Sequence, residues 1–364
     1  MQCAQDRLNN REFIKDFNRR AAELRVPLSG SIDLTHRCNL RCLHCYRKEP
    51  GNDLLRKEMD TGSILSLLDQ ITEAGCLHFL FTGGEPLLRQ DFPEIYTHAK
   101  KRGLIVTIFT NGTLITDRVL ALFKELPPHL VEISLYGSTA LTYEKITRVE
   151  GSFQKCLRGI GRLLDHNIRV GLKTILMNIN SHEYFGIENM AKKLGAQFRF
   201  DAAIFPCMDG DKSPLSLRVP AAEAVEKDFS DDERFRRWEE YFERVRGQLP
   251  SDKLYDCGAG VTGFHIDSYG NLQPCLMTPK IKYDLSKGSF IEGWAGAMSD
   301  FLNKKAGGLR CSRCEKRHLC GYCPAFFEME NGAEDRYSEY LCSMGHHRYQ
   351  FITNTREERV HNAA

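Results

Sequence analysis

The chain has 364 residues, 42% of them hydrophobic and 27% charged, which allows a sizeable core and more than one domain. Fifty Lys and Arg against 48 Asp and Glu leave a formal charge of +2, so no global field points to nucleic acid or to a membrane surface. The start has no apolar signal-like run and no stretch approaches the ~18 apolar residues of a membrane span, which predicts a cytoplasmic protein.

In chain order, Ser31-Ile-Asp-Leu-Thr35 alternates polar and apolar side chains and reads as a first strand. Cys38, Cys42 and Cys45 follow at once, spaced Cys-x3-Cys-x2-Cys. Three thiolates this close suffice to hold three irons of a 4Fe-4S cube and leave the fourth open to a ligand. Alone, the triplet also fits zinc with a distant fourth ligand, or three buried small apolar side chains. A helix is predicted next, with Ile64, Leu67, Leu68 and Ile71 on one face, a cap at Asp60 and a stop before Gly75. The second strand, 77–82, runs into Gly83-Gly84-Glu85-Pro86. Two residues without Cβ let backbone approach a ligand, Glu85 can accept hydrogen bonds from an ammonium group, and Pro86 stiffens the turn.

Further strands are predicted at 104–109, 130–135, 169–176 and 197–205, with a helix capped at Thr116 between two of them. Six β/α units in series predict a parallel sheet with right-handed crossovers, two units short of a closed eightfold barrel. Ligands of such sheets gather at the carboxyl ends of the strands. Both opening motifs sit there, as do Thr110-Asn111-Gly112 and Ser134.

Beyond the sixth strand, 214–220 reads as loop. Ser230-Asp-Asp-Glu233 reads as a capping box, opening a helix whose Phe235, Trp238, Phe242 and Val245 form an apolar stripe. Ten of the fourteen cysteines lie in two fields: the opening triplet, then Cys257, Cys275, Cys311, Cys314, Cys320, Cys323 and Cys342. Pairs at x2 chelate zinc or iron, and a reducing compartment disfavours disulfides. Cys3, Cys76, Cys156 and Cys207 are scattered and read as buried apolar residues. The expected organisation is an N-terminal extension 1–30, a β/α core 31–206, a helical connector 207–254, a cysteine-rich unit 255–345 and a tail 346–364.

The triplet followed by Gly-Gly-Glu-Pro resembles the radical S-adenosylmethionine (SAM) superfamily, and the second cysteine field resembles its SPASM extension. The resemblance implies an α/β fold, a partial (β/α)6 TIM-like barrel with a C-terminal SPASM domain carrying auxiliary iron-sulfur clusters. It implies SAM and three 4Fe-4S clusters as cofactors. Cys38, Cys42 and Cys45 would hold the site cluster. Gly83, Gly84, Glu85 and Pro86 would hold the methionine amino group, Asn111 and Ser134 the ribose or carboxylate, and His44 the place whose backbone faces the adenine. Cys311, Cys314, Cys320 and Cys342 would complete one auxiliary cluster. Cys257, Cys275 and Cys323 would hold the other by three thiolates, with Asp256 and His265 as candidates for its fourth ligand.

The implied reaction is reductive cleavage of SAM to a 5'-deoxyadenosyl radical that takes a hydrogen from a substrate, with an electron donor such as flavodoxin or ferredoxin. The implied substrate is a ribosomally made precursor peptide that is crosslinked, oxidised or excised. Formylglycine formation is disfavoured, because Leu276 follows Cys275 where that class has an aspartate. With about 30 residues before the first strand, too few for an independent core, a separate leader-peptide-binding partner is expected. The alternatives are a radical enzyme acting on a tetrapyrrole, whose propionates could meet Arg199, Lys212 or Arg218, and a non-catalytic iron-sulfur or zinc protein. Asp201 and Cys207 lie where substrate should arrive, as a proton or hydrogen carrier or simply as buried residues.

Overall fold

A computed structural model describes residues 10–47, 57–248 and 252–363. Among the described residues nine strands share one sheet: β1 (Ser29–Asp33), β2 (His78–Thr82), β3 (Ile105–Thr110), β4 (Leu130–Ser134), β5 (Val170–Ile175), β6 (Gln197–Asp201), β7 (Gly263–Ile266), β8 (Asn271–Gln273) and β9 (Tyr283–Asp284). Their order is β6-β5-β4-β3-β2-β1-β7-β8-β9. Strands β1 to β6 are parallel to their neighbours throughout, which is the partial (β/α)6 barrel.

The described helices are α1 (Asn10–Glu23), α2 (Thr61–Glu73), α3 (Phe92–Lys101), α4 (Asp117–Glu125), α5 (Ala140–Thr147), α6 (Ser152–Leu164), α7 (Tyr184–Lys193), α8 (Ala221–Asp228), α9 (Asp232–Val245), α10 (Phe290–Ala295), α11 (Ala297–Asn303), α12 (Arg317–Cys320), α13 (Pro324–Asn331) and α14 (Glu339–Ala363). Asp60 and Thr116 cap α2 and α4 by accepting from the Ser63 and Val119 N–H groups. The capping box expected at Ser230 is not formed. Asp231 is the cap, accepting from Arg234 N at 2.9 Å, while Ser230 Oγ accepts from the Arg234 guanidinium.

Along β1, β4 and β5, Ile32, Val131, Ile133, Val170 and Leu172 face the helices and join the main core. The alternate residues, including Asp33, Glu132 and Lys173, therefore face the barrel lumen. Strand β1 begins two residues earlier than the alternation suggested, because Gly30 lies against Phe264 of β7. A Cβ on Gly30 would come within 2.8 Å of several ring atoms. Strand β6 ends at Asp201 rather than 205, where the Asp201 carboxylate accepts from Ala203 N and turns the chain.

The C-terminal part adds to the same sheet, with β7 parallel to β1 and β8 and β9 antiparallel beyond it. A second core gathers Phe235 and Phe242 of α9, Phe326 and Phe327 of α13, and Leu341, Met344 and Ile352 of α14. The aromatic stripe of α9 is thus interior packing.

Candidate active site

The Cys38–Cys45 loop leaves β1 at the rim and is clamped from several sides. Arg41 N donates to Thr147 O at 2.9 Å and Leu43 N to Ile146 O at 3.0 Å. Beyond β6, the Cys207 thiol donates to Cys45 O at 3.4 Å and Met208 N to Tyr46 O at 2.8 Å, with Phe205 against the Tyr46 ring. Cys207 is 4% exposed, with its thiol on the backbone of the loop.

The Gly83-Gly84-Glu85 backbone lies on the start of that loop. Gly84 N donates to Thr35 O at 2.7 Å and Glu85 N to Arg37 O at 2.8 Å. A Cβ on Gly84 would sit 2.6 Å from both His36 O and the Arg37 carbonyl carbon. These glycines are needed, before any ligand arrives, for contact between two loops of the protein.

Glu85 is fully buried and caps the short helix Pro86–Leu88. Its carboxyl accepts from Leu87 N at 3.1 Å, Thr110 Oγ1 at 2.8 Å and Asn111 N at 2.8 Å. Burial pushes this carboxyl up to about 7 against those three donors. Asn111 in turn donates to Asn39 Oδ1 at 2.8 Å and stands 4.0 Å from Cys38 Sγ. The loops after β1, β2 and β3 are therefore tied into one unit. Ser134 ends β4, hydrogen-bonded to the Tyr136 hydroxyl. His44 meets the Tyr136 ring edge-on at 4.5 Å, and its buried Nδ1 has no partner. Burial lowers the His44 imidazole to about 4, so it is neutral.

Burial raises all three loop thiols, Cys38 to about 11 and Cys42 well above the usual range; neighbouring thiols add to the shifts of Cys38 and Cys42, while the Arg47 charge opposes that of Cys45. Such a set is protonated without metal and loses its protons to a cationic cluster. The thirteen described cysteines are all free thiols, and the donor set fits an iron-sulfur cube. No group of three or more His, Cys, Asp or Glu among the described residues could hold a metal ion as it stands, so each ligand set rests on spacing and on which thiols face one another.

In the second field, Cys311, Cys314, Cys320 and Cys342 line one cavity with Lys316, Arg317 and His346. Burial, then the other thiols of this group, pushes Cys320 up to about 12. Cys323 caps α13, its thiol accepting from Phe326 N at 3.4 Å. Burial raises it to about 11, and the charges of Cys275 and Cys257 add to the shift. Tyr322 stands between the groups, near both Cys311 and Cys323. Of the two candidate fourth ligands, His265 is placed elsewhere. It is 2% exposed, its Nδ1 is 2.9 Å from Ser31 Oγ and its Nε2 3.1 Å from Asp33 Oδ2, so both ring nitrogens are engaged beneath the barrel rim. Asp256 accepts from Arg317 Nη2 at 2.7 Å. Arg218, offered for propionates, is spent on Glu330, both nitrogens at 2.9 Å, and on Ile204 O. Lys212 is exposed.

Motif reading missed several supports. Glu58 accepts from Thr35 Oγ1 at 2.9 Å and His36 N at 2.7 Å and pairs with Arg37. Arg47 pairs with Asp33. A sequence signal for the lumen existed: Asp33, Glu132 and Lys173 are charges within otherwise apolar strands.

Residues 32–194 match the Radical SAM superfamily. The AdoMet-dependent heme synthase of Nitratidesulfovibrio vulgaris is 27% identical over 336 residues, 85% of this chain and 90% of that protein. The antilisterial bacteriocin subtilosin biosynthesis protein AlbA of Bacillus subtilis is 27% identical over 268 residues, 71% of this chain and 57% of that protein. The structure of Streptococcus suis SuiB bound to precursor peptide SuiA superposes with a TM-score of 0.69 at 15% identity, covering 94% of this chain and 83% of that one. Among the described residues no helix is long and apolar enough to cross a membrane.

Proposed function

We propose, from the premise that this chain is a radical SAM enzyme through residues 32–194, that it matures a ribosomally made precursor peptide. Cys38, Cys42 and Cys45 would hold the site cluster, with Gly83, Gly84, Glu85, Pro86, Asn111, Ser134 and His44 around SAM. When bound, cluster and SAM supply a one-electron cleavage whose product takes a hydrogen from an unactivated carbon. The chain's own part is to orient and enclose. Glu85 and Asn111 lock three strand-end loops together, so the thiol loop keeps one shape. Neutral His44 beside Tyr136 lines the inner side of that loop.

The observation that carries this reading is the joining of the Gly83–Pro86 and Cys38–Cys45 loops through Gly84 N, Glu85 and Asn111. Two auxiliary clusters, one on Cys311, Cys314, Cys320 and Cys342 and one on Cys257, Cys275 and Cys323, complete the set of three. The two facing groups of thiols support this partition. A leader-binding partner, a flavodoxin or ferredoxin and a cytoplasmic setting belong to the same proposal, as do the domain limits 31–206, 207–254 and 255–345.

One observation favours a second reading. A heme synthase spans 85% of this chain and 90% of its own length, a fuller correspondence than with AlbA. Reconstituted protein given a reductant and SAM should form 5'-deoxyadenosine and carry about twelve irons. Zinc in their place would defeat the proposal. Mass change in a short peptide encoded beside this chain supports the first reading, and loss of carboxyl groups from an iron porphyrin supports the second.

A further inference from the structure

The lumen holds two groups of charges below the rim. On the β1 side, Asp33 faces Arg47 and His265, and acid and guanidinium neutralise one another. On the β4–β6 side the balance differs. Glu132 of β4, 5% exposed, takes Arg199 of β6 with both oxygens, Nη2 at 2.7 Å and Nε on the other. The pair spans β5 at Gly171, which stands opposite Glu132 and has no side chain to obstruct it. Two residues on, Lys173 pairs in register with Ser134 on one side and Arg199 on the other.

Lys173 Nζ lies 3.2 Å from the centre of the Phe109 ring and makes no ion pair with a described residue. Glu132 is already saturated by Arg199, and the exposed Asp201 carboxylate is turned to Ala203 N. Arg199 thus takes up Glu132 and also feels the Asp201 charge, while the carboxylate that Lys173 feels is Glu132, already engaged by Arg199. A contact with an aromatic face does not replace the counter-ion a desolvated ammonium needs. Burial accordingly lowers this amine to about 7 despite Glu132. The side chain is nonetheless partly open to the lumen. Strand β6 is the outer strand of the sheet, so Lys173 stands one strand in from the open edge. Arg199, 55% exposed at its side chain, forms the lip.

We propose that Lys173 Nζ, with Arg199 at the lip, anchors a carboxylate of the substrate as it enters the barrel. The inference rests on the radical SAM reading of this barrel and names a chemical feature of its substrate. The amine reaches toward Phe109, whose strand partner is Glu132, one lumen layer deeper than Asn111 and Ser134. The Lys173 backbone is level with Ser134 but its amine points inward from there, and a SAM-affinity readout separates a substrate carboxylate from that of SAM. A precursor peptide supplies the group as an Asp or Glu side chain, a tetrapyrrole as a propionate.

The test uses SAM-loaded, cluster-reconstituted enzyme and two pairs of probes. One pair is iron coproporphyrin III and its tetramethyl ester, followed by absorbance. The other is a pool of Asp- and Glu-containing hexapeptides and the matching Asn and Gln pool, read by mass spectrometry after equilibrium capture. Wild type should prefer one free-acid probe over its neutral partner, and the probe preferred identifies the source. Lys173→Met should weaken that probe at least tenfold and leave the neutral partner and SAM affinity unmoved, and Lys173→Arg should restore much of the preference. Unchanged binding in Lys173→Met, a loss of SAM affinity instead, or no preference for either free acid by wild type would each overturn the proposal. Iron content and melting temperature of both variants exclude misfolding. Failure of wild type to form 5'-deoxyadenosine from SAM would refute the parent reading separately, whatever the probes show.

Discussion

Replacing Gly84 by Ala tests the joint on which the site depends. The new Cβ would lie 2.6 Å from His36 O and from the Arg37 carbonyl carbon. Both are backbone, so no side-chain rotation relieves the clash. The loops must part, breaking Gly84 N to Thr35 O at 2.7 Å and Glu85 N to Arg37 O at 2.8 Å. Two hydrogen bonds at about 1 kcal/mol each and ~1–3 kcal/mol of overpacking give about 3–5 kcal/mol, roughly a hundred- to a few-thousand-fold shift against the closed arrangement. The assay is SAM affinity and 5'-deoxyadenosine formation by reconstituted protein, with the SAM-induced change in the reduced cluster's EPR signal. Gly103→Ala is the control: its φ is +87° and nothing lies within 4 Å of an added Cβ, so it should cost about 1 kcal/mol of stability and spare SAM. SAM affinity and turnover within about threefold of wild type in Gly84→Ala would refute the reasoning.

Single thiol removals should sort the clusters: Cys320→Ala and Cys323→Ala each lose about four irons while the SAM-responsive signal stays, and Cys42→Ala loses that signal. Equal behaviour of all three would contradict the partition. Arg218→Met leaves Glu330 with one partner fewer, at side-chain exposures of 11% and 13% for the pair, and should cost ~3–5 kcal/mol in urea unfolding; a cost below about 1 kcal/mol would show that the pair does not brace the segment after β6 against α13. Lys173 carries a pH signature in the ligand-free protein. Its folded pKa of about 7 lies below the unfolded 10.5, so the penalty for burying its charge is complete below pH 7 and fades as pH rises toward 10.5, by at most about 5 kcal/mol and less where lumen water reaches the amine. Lys173→Met should therefore gain most over wild type at neutral pH and little near pH 10, and an equal difference at both would sink the charge argument.

The six strands were legible through apolar periodicity, and the Cys38–Cys45 and Gly83–Pro86 loops stood out by thiol spacing and a glycine pair; the structure brings those two loops into contact. The extension of the sheet by β7 was not. Four residues, Gly263–Ile266, carry no length or pattern that names a partner more than 230 positions away, and the fit depends on Phe264 finding the bare face of Gly30. The role of Gly84 was legible as close approach but not as approach to what, since spacing does not show which backbone lies opposite. His265 looked like a ligand because a histidine lay near incomplete cysteines. Only its register beside Ser31 shows the imidazole pointing into the lumen. Lys173 and Glu132 were visible as charges in apolar strands, yet which charge cancels which is a matter of three neighbouring strands at once.

The shared sheet changes how the two cysteine fields relate. Had the C-terminal unit packed as a separate body, its position over the barrel would depend on side-chain contacts at a domain boundary, where relative motion is the default. Here β7 is hydrogen-bonded to β1, the strand from which the Cys38–Cys45 loop springs, and His265 bonds Ser31 and Asp33 of that strand. Asp33 then pairs with Arg47, two residues past Cys45. Both ends of the opening thiol loop are thereby tied, through β1 and through Arg47, to the hairpin that delivers Cys275. Were clusters held by both fields, electron transfer between them would need a fixed separation more than a short covalent path, and a continuous ladder with a buried acid-base group across it would supply that without a dedicated interface. With the C-terminal strands added at β1, β6 remains the outer strand at the other end of the sheet, carrying Arg199 beside Lys173 of β5.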